Sequence, residues 1–391
     1  MNKIIQNHPP VTSKYEKKFV NNCLKYDEIA VYGEYLGKFK RKISKITKSE
    51  FVSLVSNGTS AIHLSLIASG VRSGDEVLIP SFTFIGSCSP ILHLQAKPIF
   101  FDVDEFHNID EKKLINFLEK KTKMKNKVCI NKKTKNHIKA IILVHMWGNA
   151  VKIDKIVTEC KKRNINIIED AAEALGTKYK TGRYKGYYAG TIGDFGCISF
   201  NSNKIITSAG GGAVLTKKSK DFSLIESLKD HGRKKLGYVH DRVGYNYNLS
   251  NIHAAIGYAQ SNTINSKIKF KKYLHREYLN FFKKNQTFEL IKTPKYSNNN
   301  SWMNIVKIKN KRIDLDHLIS FFSKKNIEIR KVWKPCHNQP FMRNYYRYEI
   351  FKTNELYKKC FCLPSGFNIN DMKFKKIKEA FIKYESLFNY K

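Results

Sequence analysis

The sequence predicts an α/β fold in which a mostly parallel sheet lies between helices. Short apolar segments at 76–80, 140–144 and 165–168 have the length and continuous apolarity of strands that are buried on both faces. Helical patterns such as 153–160 separate these segments along the chain. Strands that alternate with helices favour a parallel sheet, because each helix returns the chain to the edge where the next strand begins.

Turn and capping signals predict the remaining elements. Thr59 and Ser60 follow a tight turn at the start of a helix, and Gly70 suits its C-terminal cap. Ser250 suits the N-cap of a helix rich in small residues. The main predicted elements are helix 39–46, strand 51–55, helix 59–69, strands 76–80, 97–104 and 140–144, helix 153–160, strands 165–170, 197–200 and 213–216, helices 250–260 and 263–284, strand 302–308, and helices 316–324 and 373–387.

A chain of 391 residues is long enough for two domains. We expect residues 1–262 to form an N-terminal arm and a large domain. Residues 263–391 are expected to form a smaller C-terminal α/β domain, in which strands and helices are mixed. The long helix at about 263–284 leads out of the large domain and therefore marks the expected boundary.

The composition is that of a globular protein except for its charge. Hydrophobic residues make up 42% of the chain, whereas 71 Lys and Arg face 33 Asp and Glu, a net charge of +38. The lysines accompany Asn and Ile along the whole chain, so we interpret the excess as a residue-usage bias of the source. No aromatic-basic recognition motif is present, and we expect no specific nucleic-acid partner. A nucleotide-type substrate would still be attracted by the positive field.

Cysteine usage and hydropathy indicate the cellular compartment. Eight cysteines are scattered through the chain without a C-x-x-C pair, which indicates reduced thiols and neither a disulfide framework nor a zinc site. The first residues contain no apolar signal core, and no apolar run approaches the length of a membrane span. We therefore expect a cytoplasmic protein without a membrane or metal partner.

The segment 165–212 carries the strongest chemical signal. One predicted strand ends in Asp170, and the strand at 197–200 leads to Lys204 and a glycine run. Pyridoxal phosphate (PLP) needs a lysine amine for a Schiff base and a carboxylate against its ring nitrogen, and these two residues can supply them. Taken alone, Asp170 and Lys204 fit better an N-capping acid and a surface lysine of an ordinary α/β domain.

Further residues at the carboxyl ends of predicted strands support a cofactor site. Thr59 and Ser60 begin a helix, whose free N–H groups can bind phosphate, although simple capping would explain them equally well. Phe84 can stack on a flat ring or belong to the core, and Ser199 lies near the end of the second strand. Ligands of parallel α/β sheets collect at this edge, so the convergence of these residues is worth more than any one motif.

A loop of the smaller domain, IRKVWKPCHNQPF, contains groups that can meet a substrate. Arg330 and Lys334 are cationic, and His337 lies in a loop bounded by prolines. A single histidine is usually structural, but its position beside Trp333 and Lys334 makes it a better candidate than most. We expect Arg330, Lys334 and His337 to contact the substrate or the amino donor.

As a set, the motifs resemble the DegT/StrS nucleotide-sugar aminotransferases, which are PLP enzymes of fold type I. The resemblance extends from about Gly33 to Phe367. It rests on segments that occur in the family's order: NGTSAIHLSL, GDEVLIPSFTF, IIEDAAEALG, GDFGCISFNSNKIIT, GYNYNLSNIHAAIG, VWKPCHNQPF and CLPSG. The resemblance implies a fold-type I aminotransferase with a large PLP-binding domain and a smaller C-terminal domain.

The resemblance also implies roles for residues around the PLP ring. Lys204 would form the Schiff base with the cofactor, and Asp170 would pair with the pyridine nitrogen. Phe84 would stack on the ring. Glu173 would lie near the phenolic oxygen.

For the phosphate of PLP, the resemblance implies that Thr59, Ser60 and Ser199 hold it within one chain. It further implies that Asn246 reaches the phosphate from a neighbouring subunit. A homodimer with shared active sites is therefore expected.

Two positions depart from the family's pattern. Members often carry Gly where this chain has Ser202, and Arg where it has Asn248. Ser202 is tolerable if its backbone angles allow it, whereas Asn248 removes a cation near the expected subunit interface. In a sister group of sugar dehydratases the Schiff-base lysine is replaced by histidine, so Lys204 argues against that group.

We therefore expect PLP-dependent amino transfer from glutamate to a nucleotide-linked keto sugar. The nearest resemblance is to enzymes that aminate a UDP-4-keto-6-deoxy-N-acetylhexosamine for surface glycan biosynthesis. Other readings stay open: an aminotransferase for a different keto sugar (GDP- or dTDP-linked, or 3-keto), a PLP enzyme of another class, a basic nucleic-acid-binding module, and a non-catalytic basic binding protein on the PLP fold.

Overall fold

Helices and strands alternate along the chain, as the sequence predicts. A computed structural model describes residues 4–234 and 237–388. The helices are α1 (Lys14–Lys25), α2 (Glu34–Thr47), α3 (Gly58–Ala68), α4 (Ile85–His93), α5 (Glu111–Lys121), α6 (Asp154–Lys162), α7 (Ser219–Lys229), α8 (Asn251–Ser261), α9 (Ile264–Phe282), α10 (Leu315–Lys324), α11 (Lys352–Lys359) and α12 (Asp371–Ser386). Short 3-10 helices lie at Met146–Gly148, Cys336–Asn338 and Pro340–Met342.

The strands complete the list of elements. They are β1 (Phe51–Val55), β2 (Glu76–Pro80), β3 (Lys97–Phe101), β4 (Thr122–Lys125), β5 (Val128–Asn131), β6 (Ile138–Val144), β7 (Asn166–Asp170), β8 (Lys178–Tyr179), β9 (Phe195–Ser199), β10 (Gly212–Thr216), β11 (Phe288–Leu290), β12 (Ser297–Asn298), β13 (Ile305–Ile308), β14 (Arg330–Lys331), β15 (Arg347–Tyr348) and β16 (Cys360–Cys362). Two small sheets of two strands each, β4–β5 and β8–β12, are separate from the larger sheets.

One sheet of eight strands dominates the fold, in the order β1-β10-β9-β7-β6-β2-β3-β15. β10 is antiparallel to its neighbours β1 and β9, and the other neighbouring pairs are parallel. Alternate residues of β6 enter two different apolar cores: Ile142 and Val144 one of them, Ile141 and Leu143 the other. Both faces of the sheet are therefore covered, and the predicted mostly parallel α/β architecture is confirmed.

A smaller antiparallel sheet, in the order β11-β13-β16-β14, lies in the C-terminal part of the chain. Helices α9, α10 and α12 supply it with an apolar core that includes Phe322, Phe361 and Phe381. Two segments cross the expected domain boundary, because Ile5 forms a β-bridge with Ile327 and β15 pairs with β3 of the large sheet. The division after residue 262 stays a prediction.

The eight cysteines are buried and free. Within residues 4–234 and 237–388, no helix has both the length and the apolarity that a membrane crossing requires.

Asp102 joins the C-terminal part of the chain to the large sheet. It follows β3, is buried, and accepts hydrogen bonds from the N–H groups of Phe351 (3.0 Å), Lys352 (2.9 Å) and Thr353 (2.8 Å), and from Lys113 Nζ (2.7 Å). Burial alone would raise the pKa of Asp102, but these hydrogen bonds outweigh it and lower the pKa to about 2. The ionised carboxylate therefore holds the start of α11 against the sheet.

We expect the substitution Asp102→Asn to lower the free energy of unfolding by about 2 kcal/mol at pH 7. Because the folded pKa lies below the unfolded one, the contribution of Asp102 is complete above about pH 4 and disappears as the pH falls towards 2. Urea unfolding of both proteins at a series of pH values measures it. Asp316, whose side chain is 73% exposed in its pair with Lys331, supplies the control, and Asp316→Asn should cost less than about 1 kcal/mol. A stability difference for Asp102→Asn that does not narrow towards pH 2 would contradict this account.

Candidate active site

A cavity of about 390 Å³ opens at the carboxyl edge of the large sheet. Segments that follow β1, β2, β7 and β9 line it, as expected for a ligand site of a parallel sheet. The predicted site residues that line it are Thr59, Phe84, Asp170, Glu173, Ser199, Lys204 and Arg330. The tertiary structure thus brings together residues that are far apart in the chain.

Asp170 ends β7 in the centre of this edge. In the sheet it lies opposite Val144 of β6 and Cys197 of β9. Its Oδ2 accepts a hydrogen bond from Ser87 Oγ (2.6 Å), and its Oδ1 accepts one from the N–H of Ala172 (3.1 Å). The carboxylate is therefore buried, fixed in orientation and free to accept a further hydrogen bond from a ligand.

The Lys204 amine enters the same cavity from the loop after β9. Its Nζ lies 3.4 Å from Glu173 Oε1 and 4.4 Å from the ring centroid of Trp302. Glu173 Oε2 accepts a hydrogen bond from the N–H of Trp147 (2.7 Å). Burial raises the pKa of Glu173 to about 7, although the nearby Lys204 amine acts in the opposite direction. Glu173 can thus hold or release a proton close to Lys204 Nζ at neutral pH.

The N-terminus of α3 forms another wall of the cavity. Asn57 caps this helix, because its Oδ1 accepts a hydrogen bond from the N–H of Ser60 (2.7 Å). A Cβ atom on Gly58 would lie 2.9 Å from the Cβ of Ser199, so the absence of a side chain lets the helix approach the end of β9. The first-turn N–H groups and the hydroxyls of Thr59 and Ser199 therefore meet in one region that suits a phosphate.

Two residues predicted to hold the phosphate do not line this cavity. Ser60 is buried, with its Oγ 3.1 Å from the Oγ of Ser56. Asn246 is exposed and forms an antiparallel β-bridge with Asp230, between Tyr245 and Tyr247, whose rings stack with centroids 5.1 Å apart. Contact of Ser60 with the phosphate, and of Asn246 with a neighbouring subunit, stay predictions.

Aromatic rings line one side of the site in a continuous row. Phe84 is 53% exposed, and its ring lies 5.5 Å from that of Trp333. Trp333 stacks on Trp147 (4.7 Å), which in turn stacks on Trp302 (6.2 Å). The three tryptophans of the chain therefore lie together beside Lys204. Phe84, at the end of the row, lines the cavity, where a flat ring could stack on it.

The three residues predicted from the C-terminal loop do not converge. Arg330 lines the cavity and pairs with Glu328 (2.6 Å). Lys334 is exposed and lies outside the lining. His337 is buried, and its Nδ1 forms a hydrogen bond with Ser81 Oγ, because the 3-10 turn that carries it packs against the end of β2. Substrate contact by all three residues stays a prediction.

The structure accommodates both departures from the family's pattern. Ser202 does not have the positive φ that would favour glycine. The side chain of Asn248 donates a hydrogen bond to Asp230 Oδ1 (2.8 Å) and thereby joins the segment that carries Asn246 to the end of α7.

Sequence reasoning missed three residues that shape the site. Ser87 orients Asp170, although the two residues are 83 positions apart in the chain. Asn300 donates to the backbone oxygen of Glu173 (2.8 Å), and Trp302 contacts the Lys204 loop. No local pattern could have revealed Asn300 and Trp302, because each contacts a residue far away in the chain. Asn300 and Glu173 are 127 positions apart, and Trp302 and Asn203 are 99 positions apart.

The polar side chains and the shape of the cavity fit PLP. Asp170 can hold a protonated ring nitrogen, Lys204 can form a Schiff base, and the N-terminus of α3 can hold the phosphate. A Cβ atom on Gly86 would lie 2.9 Å from Thr59 Oγ1 and 3.1 Å from the ring of Phe84, so glycine keeps this cradle open.

Comparison with known proteins agrees with this geometry. The profile of the DegT/DnrJ/EryC1/StrS aminotransferase family matches residues 10–382. GDP-perosamine synthase of Escherichia coli O157:H7 is 35% identical over 342 residues, which are 87% of this chain and 87% of that protein. The UDP-4-amino-4,6-dideoxy-N-acetyl-beta-L-altrosamine transaminase of Campylobacter jejuni (serotype O:23/36, strain 81-176) is 32% identical over 273 residues, 69% of this chain and 68% of that protein.

A solved structure has the same fold. The PLP form of the sugar aminotransferase Spr1654 from Streptococcus pneumoniae superimposes with a TM-score of 0.83 and 23% sequence identity, over 97% of this chain and 97% of that one. The sequence-based expectations of a fold-type I architecture and of PLP as cofactor are confirmed. With a matched profile over nearly its whole length and a cavity equipped for PLP, the chain belongs to the DegT/DnrJ/EryC1/StrS aminotransferase family and is a PLP-dependent transaminase.

Proposed function

We propose that this protein transfers an amino group from glutamate to a UDP-linked 4-keto-6-deoxy-N-acetylhexosamine. The observation that carries the proposal is the meeting of the Lys204 amine, the Asp170 carboxylate and the Glu173 carboxyl in one cavity at the carboxyl edge of the sheet. PLP supplies an electron sink when it is bound there. The remaining chemistry is proton transfer, for which these three side chains have suitable positions.

Lys204 is the base of the proposed reaction. When unprotonated, its Nζ can take the proton from the α-carbon of the amino donor, and the same atom can return a proton to the acceptor. Glu173, 3.4 Å away and with a pKa of about 7, can exchange a proton near this amine. Asp170, held by Ser87, keeps a ring nitrogen protonated.

The relatives and the positive charge beside the cavity support the proposed substrate class. The relatives' names specify a GDP-linked sugar in one case and a UDP-linked 4-amino-4,6-dideoxy sugar in the other. The motif order of this chain resembles enzymes of the UDP type, and we therefore propose a UDP-linked substrate. Arg330, which lines the cavity, and Lys334 on the same loop are the proposed contacts of its diphosphate, and His337 is the proposed third contact of this loop.

A panel of UDP-, GDP- and dTDP-linked keto sugars, each supplied with glutamate, tests the substrate. We expect the UDP-linked 4-keto-6-deoxy-N-acetylhexosamine to give the highest kcat/KM. The measurements are 2-oxoglutarate release and NMR of the amino sugar, which identifies the aminated carbon. Preference for a GDP-linked sugar would establish the second candidate, a GDP-sugar aminotransferase, which the 35% identical relative favours. Amino transfer to keto acids alone would reject both.

We further propose that the active unit is a homodimer in which Asn246 serves the partner's site. The segment 237–243, which precedes Asn246, carries Tyr238 (90% exposed) and Val243 (86% exposed), apolar side chains that a second copy would cover. The N–H groups of Tyr245 and Tyr247 donate to the backbone oxygens of Leu228 (2.7 Å) and Lys229 (2.9 Å), which holds the segment against the end of α7. The Asn246 side chain between them is exposed.

Mixing two inactive variants tests shared sites. Lys204→Ala and Asn246→Ala chains, dissociated and reassembled at equal concentration, should recover about a quarter of wild-type activity, because half of the dimers are mixed and each of these rebuilds one intact site. Lys204→Ala mixed with Asp170→Asn is the control, since both residues serve the site of their own chain and no activity should return. Equal recovery in the two mixtures, or an active monomer, would count against shared sites.

A further inference from the structure

Trp302 makes two contacts with the loop that carries Lys204. Its indole Nε1 donates to the backbone oxygen of Asn203 (2.7 Å), and its ring centroid lies 4.4 Å from Lys204 Nζ. The first contact fixes the backbone beside the amine. The second holds the amine itself, because an aromatic face attracts a cationic ammonium group. The position of Trp302 therefore sets where the Lys204 amine lies relative to Glu173.

The backbone of Trp302 is held from two sides. Its N–H donates to Asn300 Oδ1 (2.9 Å), and Asn300 Nδ2 donates to the backbone oxygen of Glu173 (2.8 Å). On the other side, Lys271 Nζ donates to the backbone oxygen of Trp302 (2.9 Å). Removal of Lys271 would leave only the first of these restraints on the Trp302 backbone.

Lys271 is a fully buried lysine of α9 whose hydrogen-bond partners are neutral. Besides Trp302, its Nζ donates to the backbone oxygen of Ser365 and contacts Nε2 of His8. Burial lowers the pKa of Lys271 well below its usual range. Burial also lowers the pKa of His8, and the nearby Lys271 amine lowers it further. An apolar side chain of similar length would fill this space without the penalty of a buried amine.

The three partners of Lys271 belong to three separate segments. His8 lies in the N-terminal arm, Trp302 precedes β13, and Ser365 follows β16. A single amine can hold two backbone oxygens and a histidine nitrogen in one fixed arrangement, which an apolar residue cannot do. This series of contacts reaches Lys204, because the ring of Trp302 contacts the Lys204 amine directly.

We propose that Lys271 is a positioning residue of the active site, which fixes the Lys204 amine through Trp302. Lys271 does not line the cavity and acts only through these contacts. The inference rests on the proposed role of Lys204 as the residue that bonds to PLP.

The test compares Lys271→Met, which keeps the length of the side chain and removes its donors, with wild type. PLP is added to cofactor-free protein, and the rate at which a borohydride-reducible band forms is measured. Mass spectrometry identifies the modified lysine. We expect this rate, and kcat per reducible site, to fall about tenfold, with the KM for the keto sugar changed by less than about twofold.

Two further variants separate positioning from a merely structural role. Lys272→Met is the matched control, because Lys272 is the next residue of α9 and its amine donates to the exposed Asn298 Oδ1 (2.6 Å) and not to Trp302. It should keep the wild-type rates. Trp302→Phe keeps a ring but loses the N–H to Asn203, and we expect a fall of about fivefold. The double variant Lys271→Met/Trp302→Phe should fall no further than Lys271→Met alone, because Lys271 is proposed to act on the Lys204 loop through Trp302.

The outcomes are distinguishable. Wild-type rates in folded Lys271→Met, or additive losses in the double variant, would overturn the proposal. If Lys271→Met does not fold, Trp302→Phe decides, and unchanged rates in that variant would overturn it. Modification of a lysine other than Lys204 would reject the proposed role of Lys204 and this inference with it. Failure with every keto sugar would reject only the proposed substrate, since band formation needs PLP alone.

Discussion

Replacement of Lys204 by alanine is expected to lower turnover at least about 1000-fold. The proposed reaction needs this amine twice, once to bond to PLP and once to move the proton, and Glu173 cannot replace it as a nucleophile. The fold should be retained, because the Lys204 side chain contributes one ion pair and one aromatic contact at the edge of a cavity. We expect Lys204→Ala to lose both turnover with glutamate and the borohydride-reducible band. Its melting temperature should change little.

Lys217 supplies a matched control for this substitution. It is an exposed lysine directly after β10, and its Nζ donates to the backbone oxygen of Ile192 (2.8 Å) outside the cavity that Lys204 enters. Lys217→Ala should keep turnover within about twofold of wild type, as expected for a residue outside the reacting groups. Full activity in Lys204→Ala, or an equal loss in both variants, would refute the assignment of Lys204.

Asp170→Asn is expected to bind PLP but to lose turnover by about 100- to 1000-fold. An amide has nearly the shape of the carboxylate and can still accept a hydrogen bond from Ser87. Because it carries no charge, it cannot keep the ring nitrogen of PLP protonated, and the ring then accepts electrons poorly. Cofactor content by absorbance and single-turnover kinetics with glutamate measure the two effects separately.

Ser87→Ala is the milder change with which Asp170→Asn should be compared. It removes the 2.6 Å hydrogen bond to Asp170 Oδ2 but leaves the charge in place, so we expect a loss of only about tenfold. Turnover of Asp170→Asn equal to that of wild type would exclude the electron-sink role of the acid. A loss in Ser87→Ala as large as that in Asp170→Asn would mean that orientation and not charge dominates at this position.

Local patterns were enough to predict the elements that carry the site. β7 ends at Asp170 and β9 at Ser199, and α3 begins directly after Asn57, close to the predicted positions. Apolar runs, capping residues and glycines act over a few neighbouring residues, so a linear reading can recognise them. The convergence of Thr59, Asp170 and Ser199 at one edge followed from the rule that parallel strands share their carboxyl ends.

Contacts between distant segments could not be predicted in this way. The sequence predicts that His337 and Lys334 could meet a ligand, but the packing of the 3-10 turn under β2 buries His337 against Ser81 and leaves Lys334 exposed. The reversed direction of β10 and the pairing of β15 with β3 likewise depend on how the whole sheet is assembled.

By itself, then, the sequence determined the α/β class, the ends of the strands at the site and the residue types that can hold PLP, because these are encoded in short-range patterns of apolar, capping and polar residues. Only the tertiary structure decided that Ser87 orients Asp170, that Trp302 holds the Lys204 amine and that the buried Lys271 holds Trp302. Each of these contacts joins segments that are distant in the chain. Their distances arise from packing between layers, which no local pattern contains.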